Sequence, residues 1–142
     1  MVGIIVTGHG SFATGITSGI CLLAGEPQDY AAVDFTPEDS VDTLTEKIQA
    51  AVKKLENCDE IMVYADLTGG SPFNVSIRIQ MERPDSMEVI GGANLPAVLD
   101  GYMARMMGSD VHTIAENGLK AGREAMVRFV PTASEDDDEF EE

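Results

Sequence analysis

GIIVTGHG, residues 3–10, opens the chain with an unbroken apolar run closed by Gly8, followed by a histidine held between two glycines. A strand with one wet face alternates apolar and polar residues. A continuous run such as Gly3–Gly8 reads instead as a strand buried on both faces, the habit of parallel sheets covered by helices on either side. The rest of the chain keeps that rhythm. Phe12–Leu23 suits a helix, although Thr14, Gly15, Thr17 and Gly19 weaken it, and Tyr30–Phe35 (YAAVDF) gives a second strand. Ser40 can cap a helix whose apolar residues Val41, Leu44, Ile48, Val52 and Leu55 recur at gaps of three and four, one helical face. Ile61–Ala65 reads as a third strand. Ser71-Pro72 then opens a helix, with a hydroxyl N-cap and proline at the first helical position, where no amide is needed.

Met87–Ile90 gives a fourth strand. Asn94 caps a helix over Leu95–Met107, Asp110 caps another to about Gly122, and Ala125–Val130 reads as a last strand before Pro131. This alternation predicts an α/β fold, an open doubly wound and mostly parallel sheet with right-handed crossovers.

The chain has 142 residues, with 25 acidic and 9 basic side chains. One domain is expected over 1–131, large enough to bury a core without metal or disulfide staples. Seven of the acids fall in the last eight residues, EDDDEFEE, so 132–142 is expected to be a disordered acidic tail. The remainder still carries twice as many acids as bases, which argues against nucleic acid or anionic lipid as a partner. Cys21, in an apolar run, and Cys58, in a polar turn, form no ligand framework, and no metal or other cofactor is expected. With neither a long apolar span nor a leader pattern, the expected location is the cytoplasm.

Open parallel sheets gather ligand groups at the carboxyl ends of their strands, near the point where strand order reverses. Two strands end there in polar residues: Thr7-Gly8-His9-Gly10 and Asp66-Leu67-Thr68-Gly69-Gly70-Ser71. In a flavodoxin-like order the first and third strands are neighbours, which sets His9 beside Asp66. The glycines on both sides of His9 would let a phosphate or a partner's backbone come close. Gly69-Gly70 running into a helix start supplies free amides and the positive end of a dipole. A neutral imidazole can attack phosphorus through one nitrogen while the other donates to a carboxylate, which makes Asp66 the group that orients His9. No nucleotide-binding motif is present, so the phosphoryl group must come from another protein or a small donor. Ser71, His9 and Asp66 also have the composition of a hydrolase triad. Pro72 denies that reading the amide that usually completes an oxyanion hole. His112 reads as a solvated or capping residue, and Met103, Met106 and Met107 as core or dimer packing.

The segments GIIVTGHGSFATGI, DLTGGSPFN (66–74), VIGGANLPAVLD (89–100) and GREAMV (122–127) together resemble the mannose-type enzyme IIA of the bacterial sugar phosphotransferase system, in order from residue 2 to about residue 130. The resemblance implies that His9 takes a phosphoryl group from the phosphocarrier HPr and passes it to enzyme IIB, which serves a membrane IIC/IID permease. It implies Asp66 as the orienting carboxylate, with Gly10, Thr68, Gly69, Gly70, Ser71 and Phe73 lining the phosphate and partner surface. It also implies a homodimer in which Ala125–Val130 is the exchanged strand. Thr68 stands where the family often has an aromatic residue. Two neighbouring readings share the chemistry: a related carrier for dihydroxyacetone phosphorylation, and a regulatory module in which phosphorylated His9 is a signal.

Overall fold

The opening apolar run forms β1, Val2–His9, with every residue from Val2 to Gly8 buried, in a computed structural model that describes residues 1–132. The acidic tail expected at 132–142 lies, from residue 133 onward, outside the described residues. After β1 come α1 (Phe12–Ala24), β2 (Tyr30–Phe35), α2 (Val41–Lys54), β3 (Glu60–Ala65), α3 (Ser71–Met81), β4 (Met87–Ile90), α4 (Leu95–Met106) and α5 (Val111–Ala125). The four strands form one sheet in the order β2-β1-β3-β4, parallel throughout. Strand order therefore reverses at β1, between its neighbours β2 and β3.

Two apolar layers enclose the sheet, as continuous apolar strands require. On one face Ile4, Val6, Met62, Tyr64 and Ile90 pack with residues of α1, α4 and α5, such as Ile20, Val98 and Ile114. On the other, Ile5, Val33, Val63 and Met87 pack with Leu44 and Ile48 of α2 and Val75 of α3. Each fully buried side chain of this size contributes about 1.5–3 kcal/mol. The helix starts follow their capping residues. Ser40 and Thr43 form a reciprocal capping box on α2, Asn94 accepts from the Ala97 amide, and Asp110 accepts from the Thr113 amide.

Several expectations need correction. Ser71 is the first residue of α3, not its cap. The Leu67–Gly70 turn, closed by a 3.0 Å bond from the Gly70 amide to the Leu67 carbonyl, delivers Gly70 in an extended conformation as N-cap, and its carbonyl accepts from the Asn74 amide at 2.9 Å. The last strand, expected at Ala125–Val130, is not formed in the single chain. Ala125 ends α5, and residues 126–130 lie exposed beyond it and belong to none of the four strands of the described residues. A strand needs a ladder partner to exist. Despite its apolar run Cys21 is only half-buried, while Cys58, in a polar turn, is buried against Gly3 of β1. Met103, Met106 and Met107 are exposed in the single chain, so of the two packing roles expected for them the core one does not hold among the described residues.

At the amino end of the sheet the buried Arg105 of α4 donates to the carbonyls of Val2 and Asp29, both at 2.9 Å, and to that of Gln28. Its guanidinium lies 4.7 Å from the centre of the Tyr102 ring. That end is thus closed by side chains. The carboxyl end is where polar groups remain accessible.

Candidate functional site

Pairing of β1 with β3 sets Thr7 opposite Ala65, so the residues just beyond, His9 and Asp66, meet across the strand ends. One oxygen of Asp66, Oδ2, accepts the His9 backbone amide at 2.8 Å and faces the ring Nδ1 at 2.9 Å. A carboxylate only accepts, so Nδ1 carries the hydrogen and the lone pair of the neutral ring sits on Nε2. The His9 side chain is 45% exposed and that of Asp66 is 15% exposed, which leaves the imidazole reachable and its partner sheltered.

The two glycines before α3 act differently. Gly69 has φ +88 and open space around it, so it serves the turn. Gly70 has an ordinary φ of −75, yet a Cβ there would lie 2.8 Å from Cε1 and 3.5 Å from Nε2 of His9. Its hydrogen is what keeps the approach to Nε2 open. Beyond it, the amides of Ser71 and Phe73 belong to the unpaired first turn of α3, with the positive end of the helix dipole behind them.

A second helix start lies on the same rim, but it is already filled. Asp34 at the end of β2 accepts the Thr14 amide at 3.1 Å and its hydroxyl at 2.8 Å, which places a carboxylate on the first turn of α1. Of the two positive helix ends near His9, that of α3 is the one without a resident anion.

Comparison with known proteins gives the family. Residues 3–118 match the family model described as "PTS system fructose IIA component". The chain belongs to this family. It is 30% identical over 125 residues to the mannose-specific EIIAB component of Escherichia coli K12, covering 88% of this chain and 38% of that protein. The fructose-specific EIIA component of Bacillus subtilis is also 30% identical, over 70% of this chain and 68% of its own length. Among solved structures, component EIIA of the Streptococcus agalactiae phosphotransferase system superposes with a TM-score of 0.83 at 30% identity, covering 90% of this chain and 97% of the other. The mannose/sorbose-specific IIA subunit of Enterococcus faecalis gives 0.82 at 26% identity, covering 93% and 98%.

Within this enzyme IIA chain the remaining expected residues occupy the same rim in different ways. Gly10, at φ +60 with nothing near its missing Cβ, turns the chain outward, and its amide bonds the Phe35 carbonyl at 2.8 Å. Thr68 is exposed, and its hydroxyl rests where a Cβ of Gly91 would fall. The half-buried Phe73 ring covers the same glycine, with a carbon 2.9 Å from that position. Ser71, half-buried, carries its hydroxyl on the first residue of α3.

Two contributors were not read from the sequence. Phe35, the register partner of His9 on β2, lies edge-on to the imidazole at 5.7 Å. The order β2-β1-β3 was the signal that could have found it. Asn74 donates to the Gly69 carbonyl at 3.0 Å and pins the loop, a contact that only the tertiary turn reveals. His112 is far from solitary: Nδ1 meets Glu88 at 2.7 Å and Nε2 meets the Asp85 carbonyl at 3.0 Å. Among the described residues no group of three or more His, Cys, Asp or Glu side chains could hold a metal ion. No helix among them is long and apolar enough to cross a membrane.

Proposed function

We propose that this chain is a cytoplasmic phosphoryl carrier of a sugar phosphotransferase system, taking the group from phospho-HPr on Nε2 of His9 and passing it to enzyme IIB, which feeds the IIC/IID permease. The supporting observation is the asymmetry of one ring: Nδ1 is held by Asp66, while Nε2 is free and faces the bare Cα of Gly70. The Nε2 lone pair forms the new N–P bond as the donor's N–P bond breaks, and the donor nitrogen keeps that electron pair. The proton on Nδ1 stays in place, and Asp66 stabilises the positive ring that results. The phosphoryl oxygens are received by the first-turn amides of α3 and by Ser71, since no Lys/Arg cluster serves them. Thr68, Gly69, Gly70, Phe73 and Gly10 form the surface that meets the protein partners. The working unit is a homodimer in which the exposed apolar segment Met126, Val127, Phe129 and Val130 adds a strand to the partner's sheet.

Incubation with phosphoenolpyruvate, enzyme I and HPr is expected to give an acid-labile, base-stable phosphoprotein whose label moves to IIB. A label that stays put when IIB is added would favour a regulatory module, and transfer to a dihydroxyacetone kinase subunit instead would favour the related carrier. The absence of any label sinks the reading.

A further inference from the structure

The sequence suggested that both glycines beside His9 admit a partner; the structure divides them. Gly10 faces open space, whereas Gly8 is buried in β1. Its φ is not left-handed, so backbone freedom does not explain a glycine there. Space does. A Cβ at Gly8 would lie 2.8 Å from Cγ and 2.9 Å from Cβ of Asp66, and 2.6 Å from the Phe12 ring. The carboxylate of Asp66 and the first aromatic of α1 therefore converge on the same bare Cα. The second oxygen, Asp66 Oδ1, is buried and has no hydrogen-bond partner among the described residues, while Oδ2 takes both of its bonds from His9.

We propose that Gly8 and Phe12 are positioning residues that hold the Asp66 carboxylate against His9. Gly8 gives the carboxylate room to reach Nδ1, and Phe12 closes the space through which it could turn away or take up water. A carboxylate with one oxygen dry and the other engaged by a single residue directs its charge at that residue. The inference rests on the phosphoryl-carrier reading for its kinetic consequence, but its geometric content can be tested without any transfer.

The test uses the full chain with Gly8→Ala, Phe12→Leu and Phe12→Ser, each also placed in an Asp66→Asn background. Nitrogen-15 spectra of the unphosphorylated protein report which ring nitrogen of His9 carries hydrogen, and labelled phosphate reports the rate of transfer from phospho-HPr. Wild type is expected to hold hydrogen on Nδ1. Gly8→Ala should lose that preference and slow transfer about 10- to 100-fold, by analogy with the loss when the outer carboxylate partner of a metal-bound histidine is removed. Phe12→Ser should do the same more weakly, while Phe12→Leu, which keeps the wall apolar, should stay within about threefold of wild type. In the Asp66→Asn background these substitutions should cost less than about twofold, because the group they act through is gone.

An unchanged Nδ1–H signal in both Gly8→Ala and Phe12→Ser overturns the proposal. So does an equal loss with and without the Asp66 carboxylate, which would make both residues mere packing. If Gly8→Ala does not fold, the Phe12 pair decides. If wild type accepts no phosphoryl group, the carrier reading fails while the spectra still decide this one.

Discussion

The two histidines of this chain share half of their surroundings and differ in the other half. Each presents Nδ1 to a carboxylate, His9 to Asp66 at 2.9 Å and His112 to Glu88 at 2.7 Å. At His112 the second nitrogen is also spoken for, by the Asp85 carbonyl at 3.0 Å. At His9 it opens onto a glycine and a helix start without a side-chain cap. A histidine–carboxylate pair thus carries no functional meaning alone. His112 is placed between two acceptors, which suits a doubly protonated ring tying α5 to the turn before β4. His9 is placed between an acceptor and a space, which suits a nucleophile.

The strongest way to break this comparison is to exchange the fates of the two rings. His9→Ala is expected to abolish phosphoryl labelling, and His112→Ala to leave it unchanged; labelling that survives the first or disappears with the second would refute the distinction. The next effect comes from the space itself. Gly70→Ala costs nothing in backbone conformation, but sets a methyl 2.8 Å from Cε1 of His9. It should lower the transfer rate by about 100-fold, through lost alignment at Nε2. Gly69→Ala has the opposite profile. Its φ of +88 makes alanine strained, so it should destabilise the fold by about 1 kcal/mol in denaturant melts. Its transfer should remain within a few-fold of wild type. Equal kinetic losses for the two would mean that the loop as a whole, and not the access beside Nε2, sets the rate.

Most of the strand and helix plan was legible because the controlling signals are local. Tyr30–Phe35 and Met87–Ile90 are runs bounded by turn residues, and α2 shows one apolar face through Leu44, Ile48 and Ala51. The adjacency of His9 and Asp66 followed from strand order together with polar strand ends. What could not be read depends on contacts distant in sequence. Gly8 and Gly10 look equivalent in GHG and differ only because Asp66 and Phe12 pack on one of them. Asp34 fills the start of α1 from a neighbouring strand, twenty residues away. Glu88 and Asp85 meet His112 across a similar interval. The segment 126–130 has strand composition, yet a strand is defined by its pairing, a contact distant in sequence that composition does not carry.

The carboxylates give a finer test of the same contrast. Asp66→Asn keeps the shape of the side chain but removes the charge that stabilises the phosphorylated ring. It should slow transfer about 10- to 100-fold with little change in thermal midpoint. Glu88→Gln is its counterpart and should leave transfer at the wild-type rate. If Glu88→Gln slows transfer as much as Asp66→Asn, the two pairs are not functionally separate.

The smallest expected effect is a pH dependence confined to the structural histidine. The hydrogen bond to Glu88, followed by that to the Asp85 carbonyl, raises the His112 pKa above its ordinary 6.5, with Asp110 adding a weaker attraction. A raised folded value means that the charged ring is favoured by folding. Its contribution is therefore fully present below the unfolded value of about 6.5 and is lost as pH rises through the folded value. Thermal melts of wild type and His112→Gln should then differ more at pH 6 than at pH 9, with wild type the more stable at the lower pH. The ring is exposed, so the difference should be modest and should shrink in high salt. Glu88→Gln should remove most of the pH sensitivity of that difference, because it deletes the largest cause of the shift. A gap that is constant from pH 6 to pH 9 would mean that His112 is neutral in the fold, with one of its two contacts not a donated hydrogen bond.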